Sequence, residues 1–220
     1  MTLPSPKAIL FDWDNTLVDS WAVIHHALSA TFEAMGQRPW TLEEARQKVR
    51  KSARDSFPEI FGDRSDEAME VFYGTFEASH LERLTPYADA EAMLLELTAQ
   101  PGLKLGVVSN KKGVLLRREV VHLGWDRHFV SLVGANDAAK DKPAPEVVDF
   151  ALAGSGIAPG PAVWFVGDTD IDLICAQNSG CTGILLREDP PGPGEFEVEA
   201  LKHHVFGCAD LSRLVLQNLG

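Results

Sequence analysis

A short apolar run at residues 8–11 leads directly into two aspartates one residue apart, Asp12 and Asp14. Runs of this length made of Ala, Ile, Leu and Phe are typical of a buried β-strand. Residues two apart on an extended chain project to the same side, so the two carboxylates can share one ligand or one metal ion. Asp-x-Asp by itself is a common pattern, and solvated turn residues explain it equally well. The pattern indicates chemistry only if other segments supply partners for these carboxylates.

Three other segments of the chain supply such partners. They are residues 109–110 after the apolar run 103–108, residues 167–172 after the apolar run 162–166, and residues 140–146 between them. Ligands of parallel sheets bind outside the carboxyl ends of the strands. If these strands are neighbours, one crevice collects the side chains of Asp12, Asp14, Ser109, Lys142, Asp168 and Asp172.

The second half of the chain alternates between short apolar runs and helical patterns. Strands are predicted at residues 103–108, 129–133, 163–166, 182–186 and 204–206. Helices are predicted at residues 113–123, 143–153, 171–178 and 209–219. This alternation predicts an α/β fold with a three-layer, doubly wound, Rossmann-like parallel sheet. We expect this core domain to comprise residues 1–20 and 85–220.

The stretch between residues 17 and 103 contains no strand-like run but carries several helix signals. Thr41 and Glu44 have the spacing of a capping box at the start of one helix. Apolar residues that fall on one face predict another helix at about residues 66–80. We therefore predict an all-helical domain, residues 21–84, inserted into the α/β core.

The composition of the chain is acidic. Its 220 residues include 32 Asp and Glu against 20 Lys and Arg, a net charge of -12 at pH 7. Nucleic acids and anionic membranes are bound through clustered basic residues, so neither is expected as a partner. The first apolar run is cut short at Asp12, which argues against a signal peptide or a membrane-spanning helix. Three cysteines without a Cys-x-x-Cys spacing favour reduced thiols in a cytoplasmic protein, which we expect to be a monomer or a homodimer.

Four motifs, in the order in which they occur, resemble those of the haloacid dehalogenase-like superfamily of phosphatases and phosphotransferases. They are Asp-x-Asp-x-Thr at residues 12–16, Ser109-Asn110 after a strand, Lys142 before a proline, and Gly-Asp-x-x-x-Asp at residues 167–172. One departure is Asn15, where many members carry Gly, and Asn also tolerates left-handed backbone angles. The helical insertion is similar to the cap of the phosphoglycolate phosphatase-like subgroup.

The resemblance implies a phosphatase that acts on a small phosphorylated metabolite through an aspartyl-phosphate intermediate, with Mg²⁺ as cofactor. It assigns the nucleophile to Asp12. It assigns to Asp14 the protonation of the leaving oxygen and the later activation of water. Dehalogenating relatives lack this second aspartate, so carbon–halogen cleavage is not expected here.

The resemblance also implies a metal site. Mg²⁺ would be held by Asp12, by the backbone carbonyl of Asp14 and by Asp168, because this cation prefers oxygen ligands. Asp172 would lie at the edge of the site, either bound through water or orienting Lys142.

Phosphate and substrate contacts are implied at several further residues. The phosphate would be contacted by Thr16, Ser109, Asn110 and Lys142, with the Asn110 backbone N–H at the start of a helix. Lys111 and Lys112 can add positive charge in this otherwise acidic chain. Arg50 and Lys51 of the inserted domain are candidates to bind a second anionic group of the substrate, although a solvated basic helix face explains them as well.

Two other functions remain open at the level of sequence. A sugar phosphomutase of the same superfamily needs the same core residues and passes the phosphoryl group to a sugar hydroxyl instead of water. A receiver-type signalling module also uses Asp, Ser/Thr and Lys around Mg²⁺ on an α/β sheet. Receivers are smaller, however, and their phosphorylated Asp follows a later strand.

Overall fold

The computed structural model describes residues 3–49, 51–192, 195 and 203–219. The chain forms two compact units, a larger one with residues up to Val18 and from Pro86 onward, and a smaller one of residues Asp19–Thr85. The sequence places the inserted domain at residues 21–84, so the smaller unit extends slightly further at both ends.

A six-stranded sheet forms the centre of the larger unit. Its strands are β1 (Ala8–Phe11), β4 (Lys104–Lys112), β5 (Ser131–Ala135), β6 (Val163–Gly167), β7 (Thr182–Leu186) and β8 (His204–Val205). Their order is β5-β4-β1-β6-β7-β8, and the five ladders that join them are all parallel. The predicted α/β fold with a doubly wound parallel sheet is confirmed.

Strand β1 lies in the middle of the sheet, and its last residue is paired on both sides. Phe11 is paired with Val107 of β4 on one side and with Val166 of β6 on the other. The residues that follow these three positions therefore lie at the same edge of the sheet, where β1 and β6 end and β4 continues alongside β5 to Lys112. This edge carries the chain into the loops with the polar motifs.

Both faces of the sheet are covered, since all four side chains of β1 are buried. The helices of the larger unit are α5 (Ala90–Thr98), α6 (Gly113–His122), α7 (Glu146–Leu152), α8 (Asp170–Asn178) and α9 (Cys208–Asn218). Residues of α7 and α8 pack against Ala8, Leu10 and Phe165 on one face. Ile9 and Phe11 alternate to the opposite face and are fully buried as well. The core thus has the predicted three layers.

The smaller unit is helical. Its helices are α1 (Trp21–Ala34), α2 (Leu42–Lys48), α3 (Ala53–Phe61) and α4 (Ser65–Ser79). The predicted capping box is confirmed, since Thr41 accepts from the Glu44 N–H and Glu44 accepts from the Thr41 N–H. Helix α3 contains Pro58, a residue that usually ends helices, and has no counterpart among the predicted elements.

One expectation for this stretch of the chain is wrong. Two short strands, β2 (Val18–Asp19) and β3 (Thr85–Pro86), form a two-stranded sheet between residues 17 and 103, where no strand is expected from the sequence. A two-residue strand is too short to show an alternating pattern, so periodicity cannot reveal it.

The part of the chain that the structure describes contains no helix of the length and apolar character needed to cross a bilayer.

Candidate active site

Asp12 is held at the end of β1 by the parallel ladder itself. Its backbone N–H donates to the Val166 carbonyl of β6 at 2.8 Å, so the residue continues the strand by one position. Its side chain is buried. The next residues turn sharply, and Asn15 has a φ of 62°, which agrees with the expectation that Asn tolerates a left-handed backbone here.

Lys142 connects two of the predicted site residues. Its Nζ lies 2.7 Å from Oδ1 of Asp12 and 2.7 Å from Oδ1 of Asp172. The Asn110 side chain holds the backbone of Lys142 from both sides, accepting from its N–H at 3.0 Å and donating to its carbonyl at 3.2 Å. The loop that carries Lys142 is thereby tied to strand β4.

Asp172 occupies the first turn of α8, where both of its oxygens are engaged. Oδ2 accepts from the backbone N–H of Thr169 at 3.1 Å and from its hydroxyl at 2.8 Å. Oδ1 accepts from Lys142 at 2.7 Å. The side chain is buried and contacts Lys142 directly. Its role in orienting Lys142 at the edge of the site stays a prediction.

Gly167 makes room for Asp172, because a Cβ atom at position 167 would overlap Cβ and Cγ of that aspartate. We expect Gly167→Ala to destabilise the protein by about 1–3 kcal/mol through overpacking. Gly74→Ala is the matched control, since Gly74 lies exposed in α4 with no atom near its missing Cβ, and this change is expected to stabilise by about 0.5–1 kcal/mol. Urea unfolding of both variants checks this, and equal stability of Gly167→Ala and the unmodified protein would contradict it.

Three carboxylates form a cluster suited to a cation. One oxygen from each of Asp12, Asp168 and Asp172 lies within 4.8 Å of the other two. Burial of the Asp12 carboxyl, opposed by Lys142 and reinforced by Asp172 and Asp14, raises its pKa to about 7. Desolvation and the neighbouring Asp172 and Asp12 raise the pKa of Asp168 well above its usual value.

The charge of Lys142 does not balance this cluster. Burial alone would lower the pKa of Lys142, but Asp12 and Asp172 outweigh that effect, so its pKa is raised and it stays protonated at neutral pH. One positive charge then faces three carboxylates, so full ionisation would leave an excess of negative charge in the cluster. Together with burial, this excess raises the pKa values of Asp12 and Asp168. A divalent cation with a preference for oxygen ligands fits this imbalance.

Proton and metal should therefore compete for the cluster. The pKa of Asp12 in the folded protein, about 7, exceeds its unfolded value of 3.8, so stability from this group is full below pH 4 and is lost as the pH rises through 7. Mg²⁺ should restore it, and more at pH 8 than at pH 6. We expect millimolar Mg²⁺ to raise the unfolding temperature by about 2–5 °C more at pH 8 than at pH 6.

Calorimetry with Mg²⁺, with EDTA, and with Na⁺ at matched ionic strength measures this difference. Equal stabilisation by Mg²⁺ at both pH values would show that the ionised cluster does not bind the cation.

The predicted phosphate-binding residues lie at the same edge of the sheet, but their local structure differs from the prediction. Ser109 and Asn110 lie inside β4, which extends to Lys112, and helix α6 begins only at Gly113. The expectation that the Asn110 N–H stands at a helix start is therefore wrong. The Ser109 hydroxyl accepts from the Lys111 N–H at 3.2 Å, which leaves its own proton available for donation. Thr16 is buried in the loop after β1.

Asp14 has a partner that the sequence interpretation missed. Its Oδ1 lies 2.6 Å from Nζ of Lys111, and the same nitrogen lies 2.6 Å from Oε2 of Glu119 in α6. Oε2 of Glu119 also accepts from the indole N–H of Trp13 at 2.6 Å. The sequence did contain a signal of a buried acidic group, because Glu119 stands four residues after Leu115 on the apolar stripe of its helix.

The two basic candidates of the smaller unit have different outcomes. Arg50 lies outside the described residues. Lys51 is exposed, and its Nζ lies 2.8 Å from Oε1 of Glu59. The interaction with Glu59 raises the pKa of Lys51. Its contact with substrate stays a prediction.

Both the sequence and the fold of this chain are similar to those of known proteins. The family model described as haloacid dehalogenase-like hydrolase matches residues 9–186. Phosphoglycolate phosphatase from Xylella fastidiosa is 30% identical over 216 residues, covering 94% of this chain and 93% of that protein. Pyrophosphatase PpaX from Listeria monocytogenes is 28% identical over 172 residues, covering 78% of each chain.

Solved structures show the same fold. A haloacid dehalogenase-like family hydrolase from Streptococcus pneumoniae superposes with a TM-score of 0.79 at 22% identity, covering 94% of this chain and 97% of that one. A HAD-superfamily hydrolase from Ehrlichia chaffeensis gives a TM-score of 0.67 at 24% identity over the full length of both chains. With the family model matched across β1 to β7 and its acidic motifs gathered at one edge of the sheet, this chain belongs to the haloacid dehalogenase-like hydrolase family.

Proposed function

We propose that this hydrolase is a Mg²⁺-dependent phosphatase that releases inorganic phosphate from a small phosphorylated metabolite through an aspartyl-phosphate intermediate. The observation that carries the proposal is the buried lysine bridge from Asp12 to Asp172 beside Asp168. This arrangement puts a nucleophilic oxygen, a fixed positive charge and a set of cation ligands within one small space.

The first half of the reaction transfers the phosphoryl group to the protein. A carboxylate oxygen of Asp12 attacks phosphorus, and the ester oxygen of the substrate leaves in line with it. Lys142, protonated beside Asp12, offsets the charge of the phosphoryl oxygens. The Ser109 hydroxyl donates a hydrogen bond to another of these oxygens. Asn110 keeps Lys142 in place through its two backbone hydrogen bonds.

Asp14 handles the protons in both halves of the reaction. As the ester bond breaks, its protonated carboxyl gives a proton to the leaving oxygen, so an alcohol departs rather than an alkoxide. The resulting carboxylate then takes a proton from water, which attacks the phosphorus of the aspartyl phosphate. The P–O bond to Asp12 breaks, inorganic phosphate is released, and both aspartates return to their initial state.

The cation would be held by Asp12 and Asp168, with the Asp14 backbone carbonyl as a further oxygen and with Asp172 acting through Lys142. Bound there, Mg²⁺ would neutralise charge on Asp12 and on the phosphoryl oxygens. The donor set fits, because all of these ligands are the oxygens that Mg²⁺ prefers.

Small phosphate monoesters are the substrates we propose, and relatives named phosphoglycolate phosphatase favour that class. We assign substrate selection to the inserted helical unit, including Lys51. Lys51→Ala should raise the Michaelis constant for substrates with a second anionic group and leave kcat largely unchanged.

The free cysteines Cys175, Cys181 and Cys208 support a reducing, cytoplasmic location, and we propose a monomer or homodimer.

The proposal is tested by phosphate release from a panel of esters with Mg²⁺ and with EDTA. The panel includes 2-phosphoglycolate, sugar phosphates, p-nitrophenyl phosphate and inorganic pyrophosphate. We expect turnover of at least one monoester that EDTA abolishes and added Mg²⁺ restores. Interconversion of sugar phosphates without phosphate release would favour the phosphomutase, and no reaction with any ester would exclude a general phosphatase.

A further inference from the structure

A network of four side chains, three of them buried and Asp14 partly exposed, lies beside the proposed nucleophile. It consists of Trp13, Asp14, Lys111 and Glu119. Nζ of Lys111 lies 2.6 Å from Oδ1 of Asp14 and 2.6 Å from Oε2 of Glu119. The indole N–H of Trp13 donates to the same Oε2 atom at 2.6 Å. One lysine and one glutamate thus join two adjacent residues of the loop after β1.

Each member of the network is fixed by its own element. Lys111 is part of β4 and Glu119 is part of α6. Trp13 is fully buried, and its ring packs edge-on against Trp125 with the centroids 5.8 Å apart. Because Trp13 and Asp14 are consecutive, Glu119 and Lys111 together hold this loop through both side chains. The carboxylate of Asp14 is therefore restrained from a strand and from a helix.

Stability of the fold does not explain the presence of this pair. The side chains of Lys111 and Glu119 are only 4% and 1% exposed. Burying two charges carries a large desolvation cost, and apolar residues of similar volume often serve a core as well or better. Glu119 also lies on the apolar stripe of α6 with Leu115 and Leu116. The pair is better explained by the group that it faces, which is Asp14.

We propose that Lys111 and Glu119 are positioning residues that hold the Asp14 carboxylate in the orientation needed for its proton transfers. Glu119 acts on Lys111, and Lys111 acts on Asp14. This role rests on the proposed phosphatase reaction, in which Asp14 gives a proton to the leaving oxygen. No contact of either residue with the phosphoryl group is required.

The role has a signature in the choice of leaving group. An alkoxide is a strong base and needs a proton as it departs, whereas p-nitrophenolate is a stable anion and leaves without one. Loss of the orientation of Asp14 should therefore slow the reaction of alkyl phosphates much more than that of p-nitrophenyl phosphate. Damage to the nucleophile or to phosphate binding would slow both substrates equally.

The variant that tests this is the double change Lys111→Met with Glu119→Gln. It removes both charges of the Lys111–Glu119 pair together, so neither member of the pair is left as an unpaired buried ion, and the amide introduced at position 119 keeps an oxygen that can accept from Trp13. Arg118→Met is the matched control, since it removes a cation from an exposed position of the same helix. The ratio kcat/KM is measured for the best alkyl phosphate and for p-nitrophenyl phosphate, with urea unfolding of each protein alongside.

We expect the double variant to lose at least about 10-fold more kcat/KM on the alkyl ester than on the aryl ester, because a general acid contributes about 10²–10⁴-fold. Arg118→Met should leave both values unchanged. In an Asp14→Asn background the same double change should cost less than about threefold, since coupled residues are not additive. If the double variant does not fold, Glu119→Gln alone should show the same leaving-group preference, with a smaller difference in kcat/KM between the two esters.

Three results would overturn the role: equal losses on the two esters, no loss on either, or a full further loss in the Asp14→Asn background. Each of these leaves the phosphatase reaction intact, because the unmodified enzyme still turns over both esters. Absence of turnover by the unmodified enzyme overturns the proposed function and this role together, and it is seen before any variant is made.

Discussion

Asp12→Asn is expected to lower kcat/KM for every phosphate monoester by at least about 10³-fold. The amide has nearly the shape of the carboxylate, but its oxygen is a far weaker nucleophile towards phosphorus. The change also removes a charge from a buried cluster whose ionisation is already disfavoured, as the raised pKa of Asp12 shows. The variant should therefore fold, and in the absence of Mg²⁺ it should be as stable as the unmodified protein or more stable at pH 8.

Asp170→Asn is the matched control for this change. Asp170 is the first residue of α8, two positions from Asp168 and two from Asp172, and no motif requires it. Phosphate release by this variant should stay within about threefold of the unmodified enzyme. Acid-quenched samples of the unmodified enzyme should contain a phosphorylated protein that Asp12→Asn lacks. Substantial turnover by Asp12→Asn would assign the nucleophile to another residue.

Lys142→Met is expected to have the second-largest effect. It removes the only cation that the structure shows bridging Asp12 and Asp172 among the described residues. Activity should fall by at least about 10²-fold, since a charge placed for the phosphoryl oxygens is lost. Stability should also fall, by about 3 kcal/mol at pH 8, because two buried carboxylates lose their partner. The loss of stability should be smaller at pH 5, where Asp12 can take up a proton.

Lys140→Met provides the comparison, because Lys140 is exposed and its partner is Glu146, with Nζ and Oε1 3.0 Å apart. Exposed ion pairs contribute at most about 1 kcal/mol, so this variant should resemble the unmodified protein in stability and activity. Urea unfolding at pH 5 and pH 8, together with steady-state kinetics, separates the two lysines. Similar behaviour of Lys140→Met and Lys142→Met would show that the bridge has no special role.

The strands that build the site were predictable because their apolar runs are short, continuous and bounded by polar residues. The predicted strand at residues 182–186 matches β7, and β6 extends only one residue beyond its prediction. The ends of the predicted strands indicated Asp12, Ser109 and Asp168, and parallel pairing brings these residues to one edge of the sheet. Lys142 was found through its place in the order of motifs, not through any local pattern.

Features that depend on contacts between distant segments were not predictable in this way. The sequence places Ser109 and Asn110 before a helix, but β4 continues through a register irregularity to Lys112 and is paired there with Ala135. The contact of Asn110 with the Lys142 backbone joins residues far apart in the chain. Lys111 and Glu119 are eight residues apart on different elements, so only the fold shows that they meet.

The central place of β1 has a consequence for the order in which the chain can fold during synthesis. Its two neighbours begin at Lys104 and Val163, on the far side of the inserted helical unit. At translation rates of about 5–20 residues per second, the second neighbour follows on the order of 10 s after β1 itself. The inserted unit is continuous in sequence and can become compact in that interval. Strand β1, which leads into the proposed nucleophile Asp12, is thus made before both of its neighbours, and the edge of Ile9, Leu10 and Phe11 that faces β6 stays unpaired until β6 has been made.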